Sequence, residues 1–173
     1  MKELQHYDRA AQKFYKNLHF RYMPLSSWDM FSEEFSALCE NLSDVANLNQ
    51  LSKERNWEKN IAFEKEILDH NHVVVVTDPQ LTIVHATKNI KTMNGYAAEE
   101  IIGAKPKIFQ GAETCPKTSA AIGEAIKRQE PFETVILNYR KDGSMYKCWI
   151  KGQPIRNKKG KLVNFIAFER EVA

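Results

Sequence analysis

The sequence has few of the features that mark membrane, secreted or nucleic-acid-binding proteins. Among its 173 residues no apolar run approaches the about 20 residues that span a bilayer, and the N-terminus carries no signal-peptide core. Its three cysteines are widely spaced and odd in number, which predicts reduced thiols rather than a disulfide framework. The net charge of +3 is small and both signs are interspersed, so neither nucleic acid nor a membrane is expected as a partner. We therefore expect a cytoplasmic protein.

The chain divides into two halves with different hydrophobic periods. Up to about residue 68, apolar residues recur at steps of three and four, which predicts helices over about 2–21, 27–46 and 53–69. The β-branched run Val73–Thr77, ended by Asp78-Pro79, then predicts a buried strand and a turn. We therefore predict an N-terminal helical region over 1–69 and a second domain over 70–173.

Within the second half, strands are predicted at 73–77, 81–84, 132–139, 145–155 and 162–170. Short helices and turns follow the second strand, and a longer helix over about 114–128, capped by Thr114, precedes the third. Glycine-containing turns at 140–144 and 157–160 join the last three strands into a meander. This order predicts an α+β fold with one five-stranded antiparallel sheet and helices across one face.

Several short motifs occur in a fixed order along this second half. Asp78-Pro79, Asn-Gly-Tyr at 94–96, Glu-Glu-Ile-Ile-Gly at 99–103 and Lys-Asp-Gly at 141–143 fall where PAS (Per-Arnt-Sim) domains have their turns. Residues 70–173 therefore resemble the PAS family of sensor domains. The resemblance implies the PAS fold and a sensory and interaction function that proceeds without catalysis.

Within that family the segment is most similar to the light-oxygen-voltage (LOV) branch, which binds flavin mononucleotide. The LOV hallmark Gly-Arg-Asn-Cys-Arg-Phe-Leu-Gln-Gly reads G-A-K-P-K-I-F-Q-G at 103–111, and Asn-Tyr-x-Lys-x-Gly is matched in full at 138–143. Pro106 stands where LOV domains carry the cysteine that bonds to the flavin, and proline has no nucleophile. The resemblance thus implies the frame of a flavin pocket without adduct chemistry.

The resemblance also assigns the individual contacts of that pocket. Gln110 and Asn138 keep the family's polar groups, whereas Cys148 and Lys105 each stand for an asparagine and Glu169 for a ring-sensing glutamine. A buried pocket with unmatched polar groups loses affinity steeply, so flavin mononucleotide is the alternative ligand and the cofactor is left open. Two further residues complete the candidate site: Lys107, which keeps a positive charge for a phosphate, and Phe109.

Two functions remain open at this point. The favoured one is a sensory module whose state is set by a small ligand or by a partner, with output through that partner or a downstream domain. The alternative is a flavin-binding, LOV-like photo- or redox receptor without adduct chemistry. No enzyme is expected, because Glu169 has no partner nucleophile or acid in the sequence. No metal site is expected either, since His70 and His72 are interpreted as surface histidines and His85 as a rim residue.

Assembly is predicted from the segment just before the first strand. The helix predicted over 53–69 carries more apolar side chains than one exposed face normally shows, which favours a homodimer with this helix at its centre. The alternative is a monomer in which Phe31, Phe35 and Leu38 fold back over the same sheet. The predicted seam consists of Trp57, Ile61, Phe63, Ile67 and Leu68.

Overall fold

A computed structural model describes Lys13 and residues 28–173, with side chains for Lys13 and residues 34–173. Apart from Lys13, the first predicted helix, over about 2–21, lies outside the described residues, as does the side chain of Phe31. Within the described part of the chain, no helix combines the length and the apolar character that crossing a membrane requires.

Between residues 28 and 69, the part of the upstream region that the structure describes, one long helix replaces the two that were predicted there. Helix α1 spans Trp28–Glu54, so it continues beyond the predicted end at about residue 46, because Leu48 and Leu51 extend its apolar stripe. The helix predicted over 53–69 is wrong. Asn56 adopts a left-handed conformation with φ 53°, which asparagine tolerates and which ends the helix. Trp57 then forms an isolated bridge with Asn157, and a short helical stretch over 63–69 follows, of which Lys65–Asp69 is a π-helix.

The predicted sheet is confirmed as a five-stranded antiparallel sheet with strand order β2-β1-β5-β4-β3. The second strand begins two residues later than predicted, because Leu81 has φ 64° in a turn that the Asp78 carboxylate closes. That carboxylate accepts hydrogen bonds from the backbone N–H groups of Gln80 and Thr82 at 2.9 and 2.8 Å. The strands are β1 Val73–Thr77, β2 Ile83–Ala86, β3 Phe132–Tyr139, β4 Met145–Arg156 and β5 Leu162–Val172.

Short helices connect β2 to β3 across the inner face of the sheet. Thr114 is not the cap of the longest one, because Cys115 occupies that position. The Thr114 hydroxyl instead accepts a bond from the Gly111 N–H and donates one to the Leu137 carbonyl, tying the loop to β3. The helices are α2 Ile90–Asn94, α3 Ala98–Ile101, the 3₁₀-helix Pro106–Phe109 and α4 Pro116–Arg128.

Two clusters of buried side chains lie on opposite faces of the sheet. The inner cluster joins Val73 and Val75 of β1 to α2, α3 and the 3₁₀-helix. The outer cluster joins Val74 and Val76 of β1 to α1 and to the segment after it. Because successive side chains of a strand point to opposite faces, one strand serves both clusters. The outer cluster includes Val45, Leu48, Trp57, Phe63, Ile67, Ile166 and Phe168.

The predicted dimer seam is buried within the chain itself. Trp57, Phe63 and Ile67 are only 5%, 2% and 1% exposed, and Ile61 and Leu68 pack against the same cluster. The prediction that these residues pair two chains is therefore wrong. The monomer alternative named the correct helix but other positions, since Val45 and Leu48 of α1 form the buried contact. A homodimer through another surface stays a prediction.

Candidate ligand-binding site

A cavity of about 100 Å³ lies between the inner face of the sheet and the helices. Its floor is formed by alternate residues of β5, namely Phe165, Ala167 and Glu169, because these side chains share one face of the strand. Helix α4 contributes Ile122 and Ile126 as one wall. The lining is thus mostly aliphatic and aromatic, as in small-molecule sites generally.

Polar groups interrupt this apolar lining at a few places. The side-chain carbonyl of Gln110 accepts a hydrogen bond from the Ser119 hydroxyl at 3.0 Å, which fixes it at the edge of the cavity. Thr77 lines the cavity, is 5% exposed, and its hydroxyl has no hydrogen-bond partner among the described residues. Asn138, 5% exposed, and Gln153 complete the set together with Glu169. The cavity therefore offers few polar contacts to a ligand.

Glu169 and Cys148 form a buried pair beside the cavity. The Cys148 thiol donates a weak hydrogen bond to Glu169 Oε2 over a sulfur–oxygen distance of 3.8 Å. Burial raises the pKa of Glu169 to about 7, so both protonation states are populated near neutral pH. Burial, and then the neighbouring Glu169 charge, raise the pKa of Cys148 well above its ordinary value. Cys148 is therefore a thiol at neutral pH and a poor nucleophile.

The structure brings together five of the seven residues predicted for the site. Phe109, Gln110, Asn138 and Glu169 line the cavity, and Cys148 is in contact with Glu169. The two predicted lysines are separate from them. Lys105 is exposed and is not among the cavity-lining residues. Lys107 is also exposed and lines a surface depression that shares Gln110 with the cavity.

Two residues that shape the cavity were missed by the sequence interpretation. A Cβ atom at Gly152 would lie 2.3 Å from the ring of Phe132, so the ring occupies the space that a larger residue would fill. Phe132 lies on the same face of β3 as Asn138, and strand alternation could have found it. A lone glycine inside a strand is likewise a known sign of close approach by another group.

Pro106 forms part of the cavity wall at the start of the 3₁₀-helix. It provides a rigid apolar surface and no reactive group at the place where the LOV hallmark has its cysteine. Cys115 is exposed at the start of α4 and does not line the cavity, so it does not substitute for that thiol.

His72 also differs from its prediction as a surface residue. The residue is buried on the outer face, 8% exposed, with its ring 5.1 Å from that of Trp149. Its Nδ1 lies 2.8 Å from a carboxylate oxygen of Glu66 in the π-helix, which provides a hydrogen-bond partner. The segment before β1 lies across the outer face of the sheet, and this position buries His72.

The residues present do not fit a flavin in the arrangement observed. Pockets for drug-sized ligands hold roughly 300–1,000 Å³, whereas this cavity holds about 100 Å³. The Phe132 ring fills the space above Gly152. A thiol and a buried carboxyl also stand where a flavin edge would need amide donors and acceptors. A flavin ring would require these groups to move.

A five-stranded antiparallel sheet whose inner face is closed by short helices over a buried cavity defines a class of sensory domains. The sequence model described as "PAS domain" matches residues 71–173, which is more than half of the chain. The chain belongs to the PAS domain family.

Several of its relatives and structural neighbours carry the term LOV or light-oxygen-voltage in their names. Phototropin-2 of Oryza sativa subsp. japonica is 35% identical over 97 residues, covering 56% of this chain and 11% of that protein. Protein TWIN LOV 1 of Arabidopsis thaliana is 37% identical over 108 residues, covering 60% of this chain and 27% of that protein. The chain thus spans no more than about a quarter of either relative's length.

Among solved structures, one named "Flavin Analogue Sheds Light on Light-Oxygen-Voltage Domain Mechanism" superposes with a TM-score of 0.61 at 30% identity. The match covers 66% of this chain and 87% of that chain. Together with the family match, this similarity confirms the predicted PAS/LOV architecture and its sensory class.

Proposed function

We propose that this PAS domain changes its conformation when a small ligand enters the inner cavity, and that it performs no catalysis of its own. The observation that carries the proposal is a buried cavity with polar groups lacking good partners, Glu169 and Thr77. Buried polar groups without strong partners destabilise a fold, so their persistence is typical of a site that a ligand completes. In the second form of this proposal, a partner protein sets the state instead.

Strand β5 is the element through which ligand binding would reach the rest of the molecule. Glu169 lies in the inner cavity, while its neighbours Phe168 and Arg170 lie on the outer face. Phe168 belongs to the cluster that holds α1, and Arg170 stacks on Trp149 at 5.2 Å. A displacement of β5 by a ligand therefore acts on both faces of the sheet. The outer face and α1 are the proposed output surface.

Absence of catalysis is supported by the chemistry of the cavity. Glu169 is the only ionisable side chain among the described residues that line it, and its neighbour Cys148 is held in the thiol form. General acid–base or nucleophilic catalysis needs at least one further group in hydrogen-bond reach. We propose that the output is carried by a partner or by a further domain, in the cytoplasm, with a homodimer as one form of the assembly.

Flavin mononucleotide binding is the second candidate. It is favoured by the position of Gln110, which lies between the cavity and the depression lined by Lys107. If the Phe132 ring moved away from Gly152, a flavin ring inside the cavity would contact Gln110 and a phosphate outside it would contact Lys107. The matched LOV structure is named for a flavin analogue, which supports the same candidate. When bound, a flavin supplies light absorption and electron transfer that the protein side chains lack.

The test of the proposed function records amide NMR spectra of the full chain with and without toluene, a probe that fits an apolar cavity. We expect shifts at Ala167 and Gly152, which line the cavity, and also at Phe168 and residues of α1. Shifts confined to the cavity would contradict the proposed coupling, and no shifts at all would contradict a ligand site. Quenching of flavin fluorescence on mixing would support the second candidate instead.

A further inference from the structure

Among the described residues, the inner cavity is lined by one acidic side chain and by no basic side chain that could neutralise it. Of the described residues that line the cavity, only Glu169 is ionisable. Its side chain is 3% exposed, and the one hydrogen bond to its carboxylate found among the described residues comes from the Cys148 thiol. A thiol is a weak donor, so the carboxylate keeps most of its hydrogen-bonding capacity.

The cations nearest along the chain are engaged elsewhere. Arg140 donates a hydrogen bond from Nη2 to Glu171 at 2.7 Å and stacks on the Tyr146 ring at 4.6 Å, while its Nη1 is buried without a partner among the described residues. Arg170 follows Glu169 directly but lies on the outer face, over Trp149. Across the sheet, Glu169 pairs with Val73 of β1 and Ile150 of β4, neither of which carries a charge. The titratable groups that face Glu169 are therefore Cys148 and Tyr146, both on β4.

A buried carboxylate in this situation favours a ligand that brings its own positive charge. Removing a carboxylate from water without a partner is costly, and an ammonium group offers a charge-assisted hydrogen bond in return. An anionic ligand would instead place two like charges in an apolar enclosure, which raises the cost.

The size of the cavity limits the rest of the ligand. An apolar cavity of about 150 Å³ is known to hold one benzene molecule. The cavity here, of about 100 Å³, is smaller than that, so the ligand's body can be at most a single ring or a short aliphatic chain and not a fused ring system. Its aliphatic and aromatic walls, such as Ile122, Ile136 and Phe165, suit an apolar body of that size.

We propose that the cavity binds small primary amines with an apolar body of at most one ring, the ammonium group donating a hydrogen bond to the Glu169 carboxylate. This inference rests on the proposed ligand-sensing function and names its ligand class. Three observations support this inference. Glu169 lies in the cavity, the cavity walls are apolar, and no cationic side chain among the described residues pairs with Glu169. Binding of an ammonium group favours the carboxylate form, so at neutral pH part of the protein releases a proton on binding.

The test compares four probes of nearly the same size in calorimetric titrations of the full chain: benzylamine, benzyl alcohol, toluene and benzoate. We expect benzylamine to bind at least about tenfold more tightly than benzyl alcohol, and benzoate to bind more weakly than either. Titrations of benzylamine in buffers of different ionisation enthalpy are expected to show proton release that decreases from neutral pH toward pH 9.

Two variants assign the preference to one carboxylate. Glu169→Gln keeps the shape of the side chain and is expected to remove the preference for benzylamine while retaining the binding of toluene. Glu130→Gln removes the same charge from an exposed side chain after α4 and is expected to leave the preference unchanged.

The outcomes separate this inference from the proposed function. If toluene and benzyl alcohol bind but benzylamine is not preferred, the amine inference is overturned and the ligand site remains. A preference that survives in Glu169→Gln overturns the inference too. If no probe binds, the proposed ligand-sensing function fails with it.

Discussion

The two faces of the sheet differ in the hydrogen-bond partners that their buried polar groups have. On the outer face the Trp57 indole donates to Asn164 at 3.0 Å, and the Asn164 amide donates to the Thr77 carbonyl at 3.0 Å. On the inner face the Thr77 hydroxyl has no partner among the described residues, and Glu169 has only a thiol. The same strands thus carry a connected hydrogen-bond network on one side, where His85 Nε2 is nevertheless without a partner among the described residues, and an incomplete one at the cavity on the other. Because satisfied networks stabilise and incomplete ones cost stability, we assign stability to the outer face and ligand sensing to the inner face.

The largest effect is expected on the outer face. Phe63→Ala removes a ring that is 2% exposed between α1 and the sheet, and should lower the free energy of unfolding by about 3–5 kcal/mol. Urea unfolding followed by circular dichroism measures this loss. Met145→Ala, at a side chain 54% exposed, is the control and should change stability by less than about 0.5 kcal/mol. A loss below about 1 kcal/mol for Phe63→Ala would mean that this segment does not cover the sheet in solution.

The next largest effect is a gain in the free energy of unfolding, expected when Glu169 is replaced. Because burial raises its pKa from 4.5 to about 7, the folded state holds the proton more tightly than the unfolded chain. Its contribution to stability is therefore complete below about pH 4.5 and is lost as the pH rises through about 7. Glu169→Gln has no proton to lose and should be more stable than the parent at about pH 8, by on the order of 3 kcal/mol.

That gain should vanish near pH 4.5, where the parent carboxyl is already neutral. Urea unfolding at both pH values measures the difference, and Glu171→Gln on the same strand is the matched control. Burial raises the pKa of Asp44 to about 6. Asp44 changes the stability of the parent and of the variant equally, so its contribution cancels in the difference between them. An equal gain at both pH values would show that Glu169 is not the titrating group.

A smaller effect is expected where the Phe132 ring meets Gly152. Gly152→Ala places a methyl group 2.3 Å from the ring and should destabilise the protein by about 1–3 kcal/mol. In the double variant with Phe132→Ala the clash is absent, so the two changes together should cost less than their sum. Additive losses in this double-mutant cycle would place the ring elsewhere in solution.

The smallest effect concerns flavin affinity. Cys148→Asn combined with Glu169→Gln restores two amide groups at the inner face and should tighten flavin mononucleotide binding about tenfold, or ~1.4 kcal/mol. Fluorescence titration measures it, with Lys105→Asn as the control, since Lys105 is exposed and does not line the cavity. Flavin affinity could instead stay the same in the double variant and increase when Phe132→Ala is added. That result would mean that cavity volume alone limits flavin binding.

Sequence reasoning predicted the sheet well because its signals are local. The β-branched run at Val73–Thr77 and the glycine turns between the last strands depend on near neighbours only. It failed before the first strand, where Trp57 and His72 are placed by contacts with β4 and β5 far along the chain. A helical period in the sequence does not show which tertiary contact will override it.

The candidate site was predictable in part for the same reason. Motif positions led to Gln110, Asn138 and Glu169, and all three line the cavity. The misplacement of Lys105 and the filling of the cavity by Phe132 depend on how the strands and helices approach each other. Such distances follow from packing, which motif spacing does not report.

The absorption spectrum of the full chain, purified from cells without added cofactor, tests the central claim most directly. If the inner cavity is a small-ligand site with Glu169 as the one ionisable group among the described residues that line it, the protein is colourless and shows only aromatic absorption. A structured blue absorption band at near-stoichiometric occupancy, released on heating, would contradict this claim and establish the flavin candidate.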